Sequence, residues 1–434
     1  MQKKQGLVWF RNDLRVADNA SLANATKEND SVIAVYCFDP RQFELSKYGN
    51  FKKTEKFRTK FNIESVKELK SNLEKLNISL LVYHQEPENI ISEIIAENNI
   101  STVYFQEEWT KDEVKIENEI KSRLKTDVVF KTVYDQFLFH PKDIPFDIKD
   151  IPSVFTQFRN KCEKSSKIRA ESVAKAMPAS NLIENNTIVP TLNDLGFEDF
   201  VTDARTAFPF KGGENQALKR MENYFWETEN LSHYKETRNG LIGADFSSKF
   251  SPWLANGSIS AKTIYWQICE YEQQVEKNDS TYWLTFELIW RDYFKYVSMK
   301  HGQKIFKIGG ILDKDYDWKT NKNQIDNWIN GNTQEPFVNA NMIELKKTGF
   351  MSNRGRQNVG SFFAKNLFLD WRIGAAYFES MLIDYDVHSN YGNWMYVSGV
   401  GNDPRDRKFN IRMQAENYDG KGKFQDLWLR AASL

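Results

Sequence analysis

Cysteine is scarce. Cys37, Cys162 and Cys269 are the only ones in 434 residues, no Cys-x-x-Cys pair occurs, and the five histidines show no metal-ligand spacing. That distribution excludes a disulfide framework and a structural zinc site, each of which needs its ligands at set intervals. No apolar run approaches the roughly 18 to 20 residues that cross a bilayer. The first strand pattern begins near Gly6, which leaves no room for a leader peptide and predicts a reducing, cytoplasmic setting with no membrane attachment. Net charge is lacking too: 59 basic residues balance 59 acidic ones, so the chain as a whole makes no electrostatic case for nucleic acid. No long low-complexity tract interrupts it, which argues against disorder.

Aromatic residues are abundant, with 12 Trp, 31 Phe and 18 Tyr, and the chain is long enough for two or three domains with large cores. Most of these rings must be core. Charge is uneven locally. Between Lys346 and Arg372 stand Lys346, Lys347, Arg354, Arg356, Lys365 and Arg372 against the single acid Asp370, a basic patch that suits either a solvated face or a binding surface.

The pattern predicts an α/β domain followed by an all-α one: an N-terminal doubly wound parallel sheet over 1–133, a connector over 134–206, and a larger helical domain over 207–434. Strands are expected at Gly6–Arg11, Ser31–Phe38, Ile78–His84, Thr102–Gln106 and Val128–Val133, each short, apolar and often β-branched. Helices separate them at Thr54–Leu76, Pro87–Asn98 and Lys111–Leu124. The first strand–helix turn, Phe10-Arg11-Asn12-Asp13-Leu14-Arg15, lacks the Gly-x-Gly-x-x-Gly that admits a pyrophosphate, so a dinucleotide must sit elsewhere. Pro141, Pro145, Pro152, Pro178 and Pro190 mark the connector. Beyond Phe208 helices are expected at Gly212–Glu229, Ala261–Glu276, Thr281–Met299, Asn353–Leu367 and Arg372–Ile383.

Four segments of the second domain carry possible chemistry. Phe246-Ser247-Ser248-Lys249-Phe250-Ser251-Pro252-Trp253 sets three hydroxyls and a cation before a proline-started helix, which suits a phosphate, although an ordinary N-cap is the plainer reading. Glu287 and Arg291 stand four apart, as an ion pair on a helix surface would, while Glu287, Trp290 and Phe294 share a face that could line a cleft. Asn353-Arg354-Gly355-Arg356-Gln357-Asn358 offers groups that bond bases, phosphates or a flavin edge. Asp384-Tyr385-Asp386 precedes Asn390-Tyr391-Gly392-Asn393-Trp394, where the carboxylates could simply cap a turn.

Together these segments resemble the photolyase/cryptochrome family over almost the whole chain. Trp9-Phe10-Arg11-Asn12-Asp13-Leu14-Arg15 is similar to its first strand and turn, and Gly212-Gly213-Glu214 with Ala217 and Arg220 to the entry of its helical domain. The runs Asn353–Asn358, Asp384–Asp386, Asn390–Trp394 and Gly401-Asn402-Asp403-Pro404-Arg405 resemble the DASH cryptochrome branch specifically.

The resemblance implies a folded FAD in the helical domain. Tyr234 and Ser247, Ser248, Lys249, Phe250 and Ser251 match its phosphate-binding positions, and Trp290-Arg291-Asp292-Tyr293-Phe294 its flavin pocket. Arg356 and Asp384 match an ion pair beside the isoalloxazine, Asp386 a carboxylate near its pyrimidine end, and Asn390 the residue facing N5. Glu287, Trp290 and Asn353 match positions that hold a flipped pyrimidine dimer. Tyr396 stands where the duplex-repairing class has a second Trp, and Gln357 where it has Met, which implies a weak grip in intact duplex.

Trp394, Trp371 and Trp318 match an electron-carrying tryptophan chain. Glu108 matches a contact for a 5,10-methenyltetrahydrofolate antenna, beside a departure at Trp109. Arg238, Arg354 and Arg405 are expected on DNA phosphates. The function implied is light-driven splitting of cyclobutane pyrimidine dimers, mainly in single-stranded DNA, by a monomer. The alternative is a non-enzymatic blue-light receptor. Signalling members often carry a long tail, and the sequence running only to Leu434 favours repair. Asn353 and Gln357 stand where the six-four branch places two His.

Overall fold

The structure is a computed structural model that describes residues 4–124, 127–314 and 316–430. Strands β1 (Gln5–Phe10), β2 (Ser31–Cys37), β3 (Leu80–Tyr83), β4 (Thr102–Gln106) and β5 (Val129–Val133) form one parallel sheet in the order β3-β2-β1-β4-β5. Helices α1 (Ala20–Glu28), α2 (Lys56–Glu74), α3 (Pro87–Glu97) and α4 (Lys111–Arg123) connect them. Alternate residues of β1 serve opposite faces, as the period of two requires. Val8 and Phe10 pack with Leu22 of α1 and Val66 and Leu69 of α2, while Leu7 and Trp9 pack with Ile91 and Ile94 of α3. Both faces are therefore covered, and the sheet is doubly wound as expected.

Strand order reverses at β1, so its carboxyl end is the crevice where such sheets usually take a ligand. Here the second domain fills that crevice. Leu14 N–H donates to the Asn256 carbonyl at 3.2 Å. Arg15 donates to the Gly257 carbonyl at 3.0 Å and pairs with Asp135 at 2.8 Å, and Lys262 pairs with Asp18 at 2.7 Å. Gly257 has φ +73°, and a Cβ there would lie 2.0 Å from the Asn12 carbonyl oxygen, so only glycine permits the approach. The turn without a glycine fingerprint is a docking surface for the other domain.

The stretch 134–206, expected as a connector, is not a free linker. It contains α5 (Phe155–Ser165), and Phe137, Leu138, Phe139, Phe155 and Phe158 belong to the core of the helical domain. Its later part, with Met177, Val189, Leu192 and Leu195, packs on the sheet. Its prolines and polar runs gave it the look of a linker, but its scattered apolar residues are buried one by one.

The helical part comprises α6 (Glu214–Glu222), α7 (Tyr234–Thr237), α8 (Ser251–Asn256), α9 (Ala261–Gln274), α10 (Asp279–His301), α11 (Lys322–Ile329), α12 (Pro336–Thr348), α13 (Asn353–Ser361), α14 (Trp371–Met381), α15 (Val387–Ser398), α16 (Ile411–Asp419) and α17 (Lys423–Leu429). Two expected helices change pitch: α6 and α13 each run into a π-helical turn, at Asn223–Glu227 and Phe362–Asn366. The sequence pattern overlooked α1, α5, α7, α11, α12, α15, α16 and α17. In α12, Asn341 and Glu344 lie on the buried side and interrupt the apolar stripe.

Candidate functional site

A cavity of about 300 Å³ opens among α7, α8, α10, α13 and α15. At one end lies the loop Phe246–Phe250 leading into α8, whose second residue, Pro252, fixes the first turn. Tyr234, Ser247, Ser248, Lys249, Phe250 and Ser251 all line this end, as expected for a phosphate site. Lys249 is held at φ 64°, in the left-handed region that side chains seldom adopt, and is buried. Its Nζ has no hydrogen-bond partner and sits 3.0 Å from the centre of the Phe246 ring. Burial holds its ammonium well below the usual lysine range, with Glu344 opposing that shift. An orphaned buried amine beside serine hydroxyls, whose charge an anion alongside would restore, fits an anionic group such as the diphosphate of FAD.

The other end is built from α13, α15 and the loop before it. Arg356 pairs with Asp384 at 2.9 Å, while the second carboxylate oxygen of Asp384 is buried without a partner. Asp386 caps α15 by accepting from Ser389 N–H at 2.8 Å and pairs with Lys295 at 2.7 Å. Burial alone would raise its pKa, but Lys295, His388 and Arg291 outweigh that and hold it ionised, well below the usual carboxylate range. Asn390 donates its amide nitrogen to the Ala375 carbonyl at 3.0 Å. Its oxygen is therefore the atom offered to the cavity, an acceptor suited to a protonated ring nitrogen. These groups fit an isoalloxazine edge, which presents donors and acceptors alternately.

Arg238 and Glu287 stand at the cavity wall, 2.5 Å apart. The expected pairing of Glu287 with Arg291 does not form. Arg291 lines the cavity but turns its guanidinium to the carbonyls of Gln136 and Leu254. Burial raises the Glu287 carboxyl, and Arg238 partly offsets this. Asn353 and Gln357 line the cavity as well, and the Gln357 oxygen accepts from Arg354 at 3.0 Å.

Trp290 and Tyr396 are not among the lining residues. Trp290 stacks on Phe155, centroids 3.6 Å apart at 11°, and meets Tyr396 edge-on at 6.4 Å and 89°. The two rings are thus neighbours on one side rather than opposing walls. Arg354 lies over Tyr418 and bonds Asn239, whereas Arg405 is exposed away from the cavity. Of the three arginines expected on phosphates, Arg238 and Arg354 are committed to partners within the fold.

Trp394 lines the cavity. It is seated by Gly374, where a Cβ would lie 2.3 Å from its ring. Trp371 is fully buried and donates to the Ile308 carbonyl at 2.9 Å, and Trp318 is half-buried beside Tyr316. The three thus stand at the cavity, in the interior and nearer the surface, while the ring neighbours of Trp394 are Phe378 at 5.1 Å, Phe363 at 5.8 Å and Trp328 at 6.2 Å.

Glu108 lies apart from this site. It is buried and accepts from Gln106 at 2.9 Å. The adjacent Trp109 is wedged between Phe137 and His388, stacking on the latter at 4.5 Å, and its indole N–H donates to Ser298 Oγ at 2.8 Å. This corner is filled by its own rings and does not fit a folate as it stands. Sequence reasoning missed Lys295, although Glu287, Arg291 and Lys295 recur every four residues along α10, a stripe of charge that runs from half-buried to buried.

The family model for DNA photolyase matches residues 6–180, and that for the FAD binding domain of DNA photolyase matches residues 283–433. A cryptochrome DASH of Xenopus laevis is 47% identical over 426 residues, 97% of this chain and 81% of the relative. One from Synechocystis is 46% identical over 428 residues, covering 98% and 87%. The crystal structure of a Synechocystis cryptochrome superposes with a TM-score of 0.94 at 45% identity over 99% of this chain and 90% of that one. A bacterial class III photolyase from Agrobacterium tumefaciens gives 0.81 at 25% identity over 99% and 87%.

Proposed function

Because the chain belongs to the photolyase/cryptochrome family, in its cryptochrome DASH branch, we propose that it is a blue-light-driven enzyme that splits cyclobutane pyrimidine dimers, with preference for single-stranded DNA. The observation that carries this reading is the two-ended cavity, with hydroxyls and Lys249 at one end and Arg356–Asp384, Asp386 and the Asn390 oxygen at the other. Bound FAD would supply light absorption and the electron that cleaves the dimer.

The chain's own residues would do the rest. Lys249 would neutralise the diphosphate, and the Asn390 oxygen would hold the proton on flavin N5. Glu287, whose carboxyl burial shifts upward, would hydrogen-bond a pyrimidine edge. Trp290 would supply one stacking surface worth roughly 1–3 kcal/mol per base, against a flipping cost of a few kcal/mol in duplex. With one face of Trp290 on Phe155, Tyr396 alongside and Gln357 bonded to Arg354, no second wall offsets that cost. Exposed Arg405 would contact phosphate and make binding weaken with salt. A folate antenna at Glu108 would require Trp109 to leave its stack.

The test is an absorption spectrum of the purified protein, followed by illumination with dimer-containing oligonucleotides. Flavin bands and light-dependent dimer loss, faster on single strands than on duplex, are expected. Reducible flavin without dimer loss on either substrate would point to the receptor reading instead.

A further inference from the structure

Away from the cavity, the outer end of the tryptophan series is built around Tyr316. Lys319 N–H donates to the Phe368 carbonyl at 2.7 Å, and Asp370 N–H donates to the Lys319 carbonyl at 2.9 Å. The segment carrying Trp318 is thereby laced to the one that enters α14 at Trp371. The Tyr316 ring meets Trp318 nearly edge-on, with centroids 5.4 Å apart and planes at 67°. The Trp318 indole N–H is buried without an acceptor among the described residues. The Tyr316 hydroxyl, by contrast, donates to one carboxylate oxygen of Asp406 at 3.0 Å. The other oxygen of Asp406 pairs with Lys365 at 2.5 Å. Gly399, at φ +78°, makes room for that pair, since a Cβ there would lie 1.8 Å from Asp406 Oδ1. The Lys365 ammonium also stands 4.8 Å from the centre of the Tyr316 ring.

These contacts give the two rings opposite proton chemistry. An indole that loses an electron becomes a cation. With its N–H facing no base, Trp318 stays one, and is a strong oxidant. A phenol is readily oxidised only if its proton leaves with the electron, because the oxidised phenol is a far stronger acid than the phenol itself. The nearby Lys365 ammonium penalises positive charge on the Tyr316 ring but not a neutral radical. We propose that Tyr316 is the terminal electron donor of the relay and that Asp406 is the base that takes its proton. One electron passes from Tyr316 to the oxidised Trp318, which regains its neutral form. The O–H bond of Tyr316 breaks, the proton goes to the Asp406 carboxylate, and Tyr316 is left as a neutral radical. An external thiol reduces that radical by giving up a hydrogen atom, and the proton on Asp406 passes to solvent. Return of the oxidising equivalent to Trp318 would need the proton back, so the charge separation lasts. The primary oxidant is photoexcited flavin, so the inference rests on the FAD reading of the cavity and on a relay that ends at Trp318.

The experiment is flash illumination of the FAD-bound full chain, for the wild type, Tyr316→Phe, Asp406→Asn and Trp318→Phe. Radicals are followed by transient absorption and identified by electron paramagnetic resonance after rapid freezing. Folding of each variant is checked by its far-ultraviolet circular dichroism. In the wild type a tryptophan radical cation should give way to a neutral tyrosyl radical, more slowly in heavy water because a proton moves with the electron. Tyr316→Phe, which keeps the ring, should lose the tyrosyl signal and leave the tryptophan cation to decay unrelieved. Asp406→Asn keeps an acceptor oxygen but not the base, and should slow tyrosyl formation by roughly a hundredfold, the lower end of what a positioned proton acceptor contributes. A wild-type tryptophan cation that decays without a tyrosyl radical would overturn the proposal. So would a tyrosyl radical in Tyr316→Phe at the wild-type rate, or an unchanged rate in Asp406→Asn. Undiminished tyrosyl formation in Trp318→Phe would instead overturn the relay reading, and failure of the wild type to bind FAD would overturn the reading of the cavity.

Discussion

Trp290 lies flat on Phe155, with ring centroids 3.6 Å apart and planes 11° from parallel. The indole that would stack a pyrimidine is thus braced from behind by α5, from a stretch the sequence presented as linker. Trp290→Ala should weaken binding of a dimer-containing single strand by roughly 1–3 kcal/mol, the value of one aromatic–base stack. Flavin should remain bound, because Trp290 is not in the cavity lining. Phe155→Ala should have a smaller effect in the same direction. Fluorescence anisotropy with labelled oligonucleotides checks both, and loss of flavin from Trp290→Ala would show that the two sites are not separate.

Asp384→Asn removes the negative charge that Arg356 pairs with, its one carboxylate partner among the described residues, and leaves that guanidinium at the cavity uncompensated. A charge-assisted hydrogen bond contributes about 1.5–3 kcal/mol, so flavin affinity should fall at least tenfold. Equilibrium dialysis of the variant against FAD measures this. An unchanged affinity would mean that the pair shapes the fold rather than the site.

Trp394→Phe should slow light-driven reduction of bound FAD in the presence of a thiol, because phenylalanine is far harder to oxidise. Bleaching of the flavin band under blue light reads the rate. Trp371→Phe should slow it as well if the electron follows the order cavity, interior, surface. Since Trp328 is the tryptophan ring nearest to Trp394, Trp328→Phe is the control that separates the two routes.

His388 is buried beneath Trp109 and bonded to Ser298 at 2.7 Å. Burial first, then Lys295, lowers its pKa from 6.5 to about 3. The unfolded chain therefore binds the extra proton between those two values, and the stability this neutral ring contributes is complete above 6.5 and lost as pH falls toward 3. The slope from this one group approaches about 1.4 kcal/mol per pH unit. Thermal melts from pH 7 to pH 4 should show His388→Gln losing stability less steeply than the wild type. Equal slopes would show that other groups govern acid unfolding.

The sequence by itself determined the doubly wound sheet, because strand spacing, β-branched runs and intervening helices depend only on near neighbours along the chain. The family resemblance, carried by short motifs whose order survives folding, pointed to Ser247–Ser251, Arg356, Asp384, Asp386 and Asn390, and all of them line the cavity. Only the tertiary structure decided who bonds whom. Glu287 took Arg238, from 49 residues away, over Arg291 one turn along the same helix. Trp290 gained Phe155 behind it, and Trp109 closed on His388 across the two domains. Glu344, on a helix the sequence pattern overlooked, is buried with one carboxylate oxygen unpaired. Burial and charge are properties of a packed neighbourhood, assembled from segments hundreds of residues apart, and no local spacing encodes them.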